Sequence, residues 1–137
     1  MWWTYALLSA FFAALTAIFA KVGVQGVDSD LATAIRTVVI LIIAWTIALV
    51  KGGAGSITTL SKQNIIFLVL SGIATGLSWI FYFRALQLGN VSQVAPVDKL
   101  SVALAIILSA LFLGETLTWK TAAGAILIIA GTLIIIK

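Results

Sequence analysis

The chain has no cysteine and no histidine. Disulfides, thiolate metal sites, cysteine nucleophiles and imidazole bases are excluded together. Carboxylates are nearly as scarce, since Asp28, Asp30, Asp98 and Glu115 are the four acids in the sequence. Charged residues make up 9% of the chain, against about 25% in a soluble domain. Lys and Arg are dispersed singly. The net charge of +4 therefore builds no basic cluster of the kind that grips nucleic acid or an anionic lipid surface. No nucleic-acid partner is expected, and no residue set calls for a metal or cofactor. What is abundant is apolar: 63% of the 137 residues are hydrophobic and the mean hydropathy is +1.25. That places the chain among membrane proteins, with lipid as its first partner.

A membrane span needs about 20 mostly apolar residues. Five stretches meet this, at 3–20, 31–50, 64–85, 93–113 and 118–136. The first carries no basic lead-in and is longer than the core of a secretory signal, so it is expected to stay as a span. The connections are short. VGVQGVDSD (22–30) is turn-rich, KGGAGSITTLSKQ (51–63) is the longest and most flexible, LGNVSQ (88–93) is a tight turn, and GETLTW (114–119) offers Thr116 or Thr118 as a helix N-cap. KGGAGS lacks the phosphate-cradling G-x-x-x-x-G-K-[ST] spacing and follows a helix, so it is expected to be a linker. The predicted fold is all-α: a single domain over 1–137, built as a five-helix membrane bundle.

Five spans put the two termini on opposite sides. One face then carries Lys51, Lys62 and Lys120; the other carries Lys21, Arg84 and Lys137, with Arg36 a little inside. Orientation normally follows an excess of Lys and Arg toward the cytoplasm. That excess is nearly absent here. Either a boundary is misplaced or one residue dominates, or copies insert both ways up and pair antiparallel.

Charges also lie inside the spans. At about 1.5 Å per residue, Arg36, Arg84 and the Asp98–Lys99 pair each fall roughly 8–9 Å in from the same face. Lys21 closes the first helix at that end and is expected to be an interfacial anchor. Arg36 and Arg84 fit both snorkelling and a functional role. Asp98 is too short to snorkel far and needs a cation, donors or water nearby. Neighbouring residues on a helix point about 100° apart, so Lys99 is expected to face away from Asp98. Arg36, Arg84 or a second subunit are then the candidate partners. The expectation is a wet vestibule lined by Arg36, Arg84, Asp98 and Lys99. Pro96 stands near the start of this span. It either opens the helix, or follows a start near Ser92, frees a carbonyl and bends the chain.

Trp2, Trp3, Tyr5, Trp45 and Trp119 fall near one face and read as an aromatic belt. Trp79, Tyr82 and Phe83 lie deeper, at helical spacing, near Gly72, Thr75 and Gly76. Packing explains such a stripe, yet an aromatic face beside a charged vestibule also suits an organic solute. Gly72–Gly76 forms a G-x-x-x-G, and Gly124 with Gly131 marks a second small-residue face.

ALQLGNVSQVAPVDKLSVALAIILSALFLGETLTWKTAAGAILIIAGTLII (85–135), with Lys21 after the first span and Arg36 early in the second, resembles an EamA domain of the drug/metabolite transporter superfamily. The likeness is greatest to the short five-span bacterial and archaeal members and covers nearly the whole chain. It implies one half of a ten-span inverted-repeat fold, completed by a second five-span chain or by an antiparallel homodimer. Helices one, three and four of each half would line the cavity, bringing Trp79, Tyr82, Arg84, Asp98 and Lys99 toward it. The implied function is a secondary carrier for a small metabolite or drug-like solute in a bacterial or archaeal cytoplasmic membrane, with no ATP-binding element. Asp98 would be its coupling or counter-charge group. The alternative is a non-transporting helical subunit, or lipid-contacting partner, of a larger complex. An enzyme is not expected, because the acids are unpaired and no nucleophile–base set exists.

Overall fold

The structure, a computed structural model, describes residues 1–136. Six helices occur in chain order: α1 (Trp2–Gly23), α2 (Ser29–Val50), α3 (Lys62–Leu88), α4 (Val91–Asp98), α5 (Leu100–Phe112) and α6 (Trp119–Ile136). The described chain is 86% helix. Five spans are long and apolar enough to cross a membrane, with α4 and α5 together forming the fourth, Val91–Phe112. Their lengths, 18 to 27 residues, correspond to about 27–40 Å at 1.5 Å per residue, enough for a hydrocarbon core of about 30 Å. All five expected spans are present, with ends moved by at most three residues. Lys137, counted above on one face, lies outside the described residues.

Local chemistry sets the ends. Asp28 Oδ1 accepts from the N–H groups of Asp30 and Leu31, both at 3.0 Å, and starts α2. Its negative charge also suits the positive end of the helix dipole. Ser61 Oγ accepts from Asn64 N at 3.1 Å before α3. Of the two threonines expected to cap α6, Thr118 does so, accepting from Thr121 N at 3.2 Å. Hydroxyls inside the spans return to their own helix. Thr16, Thr33, Thr46 and Thr75 each donate to the carbonyl four residues back, at 2.7–2.8 Å. No hydroxyl of this set presents an unmet donor to lipid.

The 51–63 connection is more ordered than the sequence implies. Gly52 turns the chain at φ 73°, and Gly53–Thr59 forms a short 3₁₀ helix. It folds back on α2, forming a shallow apolar groove with Ala44, Trp45 and Ala48.

The chain divides into two compact units: Phe19–Gln87, and Met1–Ile18 with the chain from Leu88 onward. In the first, the buried residues gather where α1 ends, α2 begins and α3 ends: Ala20, Val24, Ser29, Thr33, Phe83 and Leu86. In the second, α4 and α5 pack on α6, burying Ala103, Ala125 and Thr132. Most other large apolar side chains are exposed, as a lipid-facing surface requires. A Cβ placed on Gly72, Gly76, Gly124 or Gly131 would meet nothing within 4 Å. The two small-residue faces are therefore open in the single chain.

Candidate functional site

Within Phe19–Gln87, Arg36 of α2 faces α3. Its guanidinium carbon lies 4.3 Å from the Trp79 ring centroid and 5.1 Å from that of Phe83. Trp79 and Phe83 are four residues apart, so α3 presents both rings on one face. Phe83 is buried, while Trp79 and Arg36 are half-buried. Tyr82 meets Phe83 edge to face, with centroids 6.4 Å apart. A cation over an aromatic face gains about 0.5–2 kcal/mol, more as water is excluded. Arg36 thus has a fixed seat on two rings, rather than simply snorkelling as a surface anchor does. Arg84, one residue beyond Phe83, is exposed, and no described residue partners its guanidinium.

Below this cluster the helix ends are cross-linked. Lys21 Nζ donates to Leu86 O at 2.6 Å, one of the last α3 carbonyls, which lack a partner within the helix. A cation there also complements the negative end of the helix dipole. Gln87 Nε2 donates in the other direction, to Val24 O at 3.2 Å and Val27 O at 2.6 Å in the α1–α2 connection. Lys21 is therefore not the plain interfacial anchor expected from sequence. Its position one turn from the end of α1 lets it reach the α3 terminus. Gln87 was not singled out from the sequence. The available signal was a lone amide at a helix end, in ALQLG, with several orphan carbonyls to satisfy.

In the other unit, Lys99 Nζ lies 3.2 Å from Asp98 Oδ2, with side chains 57% and 33% exposed respectively. This corrects the expectation that Lys99 faces away. That argument holds for a continuous helix, but α4 ends at Asp98 and α5 begins at Leu100. At the break the long lysine chain folds back on its neighbour. Pro96 lies three residues before the break. It stands inside α4, past the first turn, in a helix that starts at Val91. Lacking an N–H, it leaves out the bond to the fourth residue back and crowds that carbonyl. The Lys99 N–H is then shared between Ala95 O at 3.3 Å and Pro96 O at 3.1 Å. Thr132 Oγ1 of α6 donates to Pro96 O at 3.2 Å and to Ile128 O at 2.8 Å. Thr132 is the second residue the sequence did not reveal.

The two polar clusters are one seated guanidinium and one ion pair at a helix break. Among the described residues no group of three or more acids gathers to hold a metal ion. Both arrangements suit the reversible holding of charge inside a membrane protein, and neither sets a base against a nucleophile.

No solved structure matches this chain at a significant level. A curated protein described as "Uncharacterized transporter in cobO 3'region", from a Sinorhizobium species, is 50% identical over 134 residues, covering 98% of this chain and 95% of its own length. The family model for the EamA-like transporter family matches residues 1–137. A match over the full length, with a relative at half identity whose length is nearly all covered, makes this multi-pass membrane protein a member of the EamA-like transporter family.

Proposed function

We propose that this transporter is a secondary carrier subunit for a small metabolite or drug-like solute, and that it works by alternating access as an antiparallel homodimer in the cytoplasmic membrane. The transporter role follows from family membership. The carrying observation for the rest is that the family model is matched end to end by a chain with only five spans. A copy inserted upside down presents the same five spans with opposite topology, which is the inverted symmetry alternating access uses. The near balance of Lys and Arg between the two faces supports insertion both ways up. The open faces at Gly72–Gly76 and Gly124–Gly131 support close approach of a second copy.

In this reading, each unit contributes a polar cluster of its own to transport: Arg36, Trp79, Tyr82 and Arg84 in Phe19–Gln87, and Asp98 with Lys99 in the other unit. Asp98 is the counter-charge group, and Lys99 is its partner when the site is empty. Pro96 supplies the break that lets this segment bend.

The test is counterflow in liposomes holding purified protein. Labelled solutes of anionic, neutral and cationic classes are offered in turn. At least one class should enter saturably, faster when the same solute is loaded inside. Folded, dimeric protein with no such flux in any class, and no solute-dependent thermal shift, would favour a non-transporting subunit instead.

A further inference from the structure

We propose that Arg36, seated on Trp79 and Phe83, is the receptor for the anionic group of the carried solute: a carboxylate or phosphate monoester on a small, largely apolar body. This rests on the carrier reading and gives it a substrate class.

A guanidinium offers five N–H donors and an indole offers one, and neither can accept. No described residue accepts a hydrogen bond from Arg36 or from the Trp79 indole. Both groups are only half-buried, so a ligand can reach them. A concentration of donors with no carboxylate among them selects an acceptor-rich ligand.

The unit Phe19–Gln87 holds two carboxylates, Asp28 and Asp30. Asp28 is engaged at the start of α2. Asp30 precedes Arg36 by six residues, about 240° around the helix, and points elsewhere. Arg36 is thus a cation within a span that its own unit does not neutralise. An anion arriving there gains charge-assisted bonds in a medium of low dielectric.

With the faces of two rings beneath its central carbon, the guanidinium keeps its N–H fork for a planar or tetrahedral oxyanion, the match that distinguishes Arg from Lys. The rings also limit its rotamers, so less freedom is lost on binding. The surrounding span is apolar, which favours an organic anion over an inorganic one.

The experiment uses full-length protein in phosphatidylcholine nanodiscs, with benzoate, phenyl phosphate, inorganic phosphate and benzylamine as probes. Benzoate and phenyl phosphate should raise the thermal midpoint saturably and change the tryptophan fluorescence, while benzylamine should do neither. Arg36→Gln should weaken both organic anions by at least about tenfold, and Arg36→Lys should recover part of the loss. Equal affinity in folded Arg36→Gln, or preference for benzylamine or inorganic phosphate, would overturn the proposal. If Arg36→Gln does not fold, Arg36→Lys and Trp79→Phe decide, and unchanged affinity in both would overturn it. Anionic lipid carries the same chemistry. Phosphatidylglycerol added to the nanodiscs should leave benzoate binding intact; abolition would assign the site to lipid and remove the solute. Carrier flux restricted to neutral or cationic solutes would leave the carrier reading and remove this site, whereas anion binding without flux would do the reverse.

Discussion

Gly114 holds φ at 68° just past the end of α5. There the Glu115 N–H reaches back to Ser109 O at 3.3 Å and the Leu113 N–H to the same oxygen at 2.9 Å. The glycine of the LGE segment is therefore a turn requirement rather than a ligand site. A Cβ there would meet no atom within 4 Å, so the cost of Gly114→Ala is conformational alone, about 1–2 kcal/mol. Unfolding in mixed micelles should show that loss. Asp98 behaves differently. Its pair with Lys99 is partly exposed, and such pairs contribute roughly 0–1 kcal/mol. Asp98→Asn should thus leave the unfolding transition within about 1 kcal/mol of the parent, yet cut solute flux strongly if Asp98 is the coupling group. Collapse of the fold would instead make the ion pair structural; unchanged flux would end its transport role.

Lys21, Leu86 and Gln87 tie the ends of α1 and α3 to each other in both directions. Gln87→Leu removes the donor from part-buried Val24 O and exposed Val27 O, at an expected cost of about 1 kcal/mol. Hydrogen exchange of the 22–28 amides should rise with it, while exchange in α5 and α6 should stay unchanged. Uniform exchange over all helices would show that the link is not local. These ties also mark how far the sequence could be read. Span number and type were legible, because long apolar runs over a 137-residue chain leave no other fold that satisfies the backbone in lipid. The cap at Thr118 followed from short-range chemistry. The Arg36–Trp79 contact was not legible, because it depends on how two helices are rotated, which local pattern does not fix. The Asp98–Lys99 pair was not legible because an unbroken helix would turn the two apart, and α4 ends at Asp98 while α5 begins at Leu100.

The balance of Lys and Arg between the two ends of the spans leaves orientation open to small changes in charge. Within Phe19–Gln87, Lys51 and Lys62 lie where α2 ends and α3 begins, and Lys21 and Arg84 lie toward the opposite ends of α1 and α3. With so little bias, two added lysines should decide orientation. Ser56→Lys with Gln63→Lys should hold the 51–63 connection in the cytoplasm. Gln25→Lys with Asn90→Lys should hold the opposite connections there. The altered side chains are exposed, so neither variant should disturb packing. A reporter fused to the C-terminus should signal from both sides in the parent and from a single, opposite side in each variant. If the working unit is antiparallel, each variant made alone lacks its inverted partner and should lose most flux, and the two made together should regain it. That complementation separates an antiparallel pair from other assemblies, because mere damage to either variant would not be repaired by the other. Full flux from one fixed-orientation variant alone would rule out the antiparallel dimer while leaving the family assignment untouched.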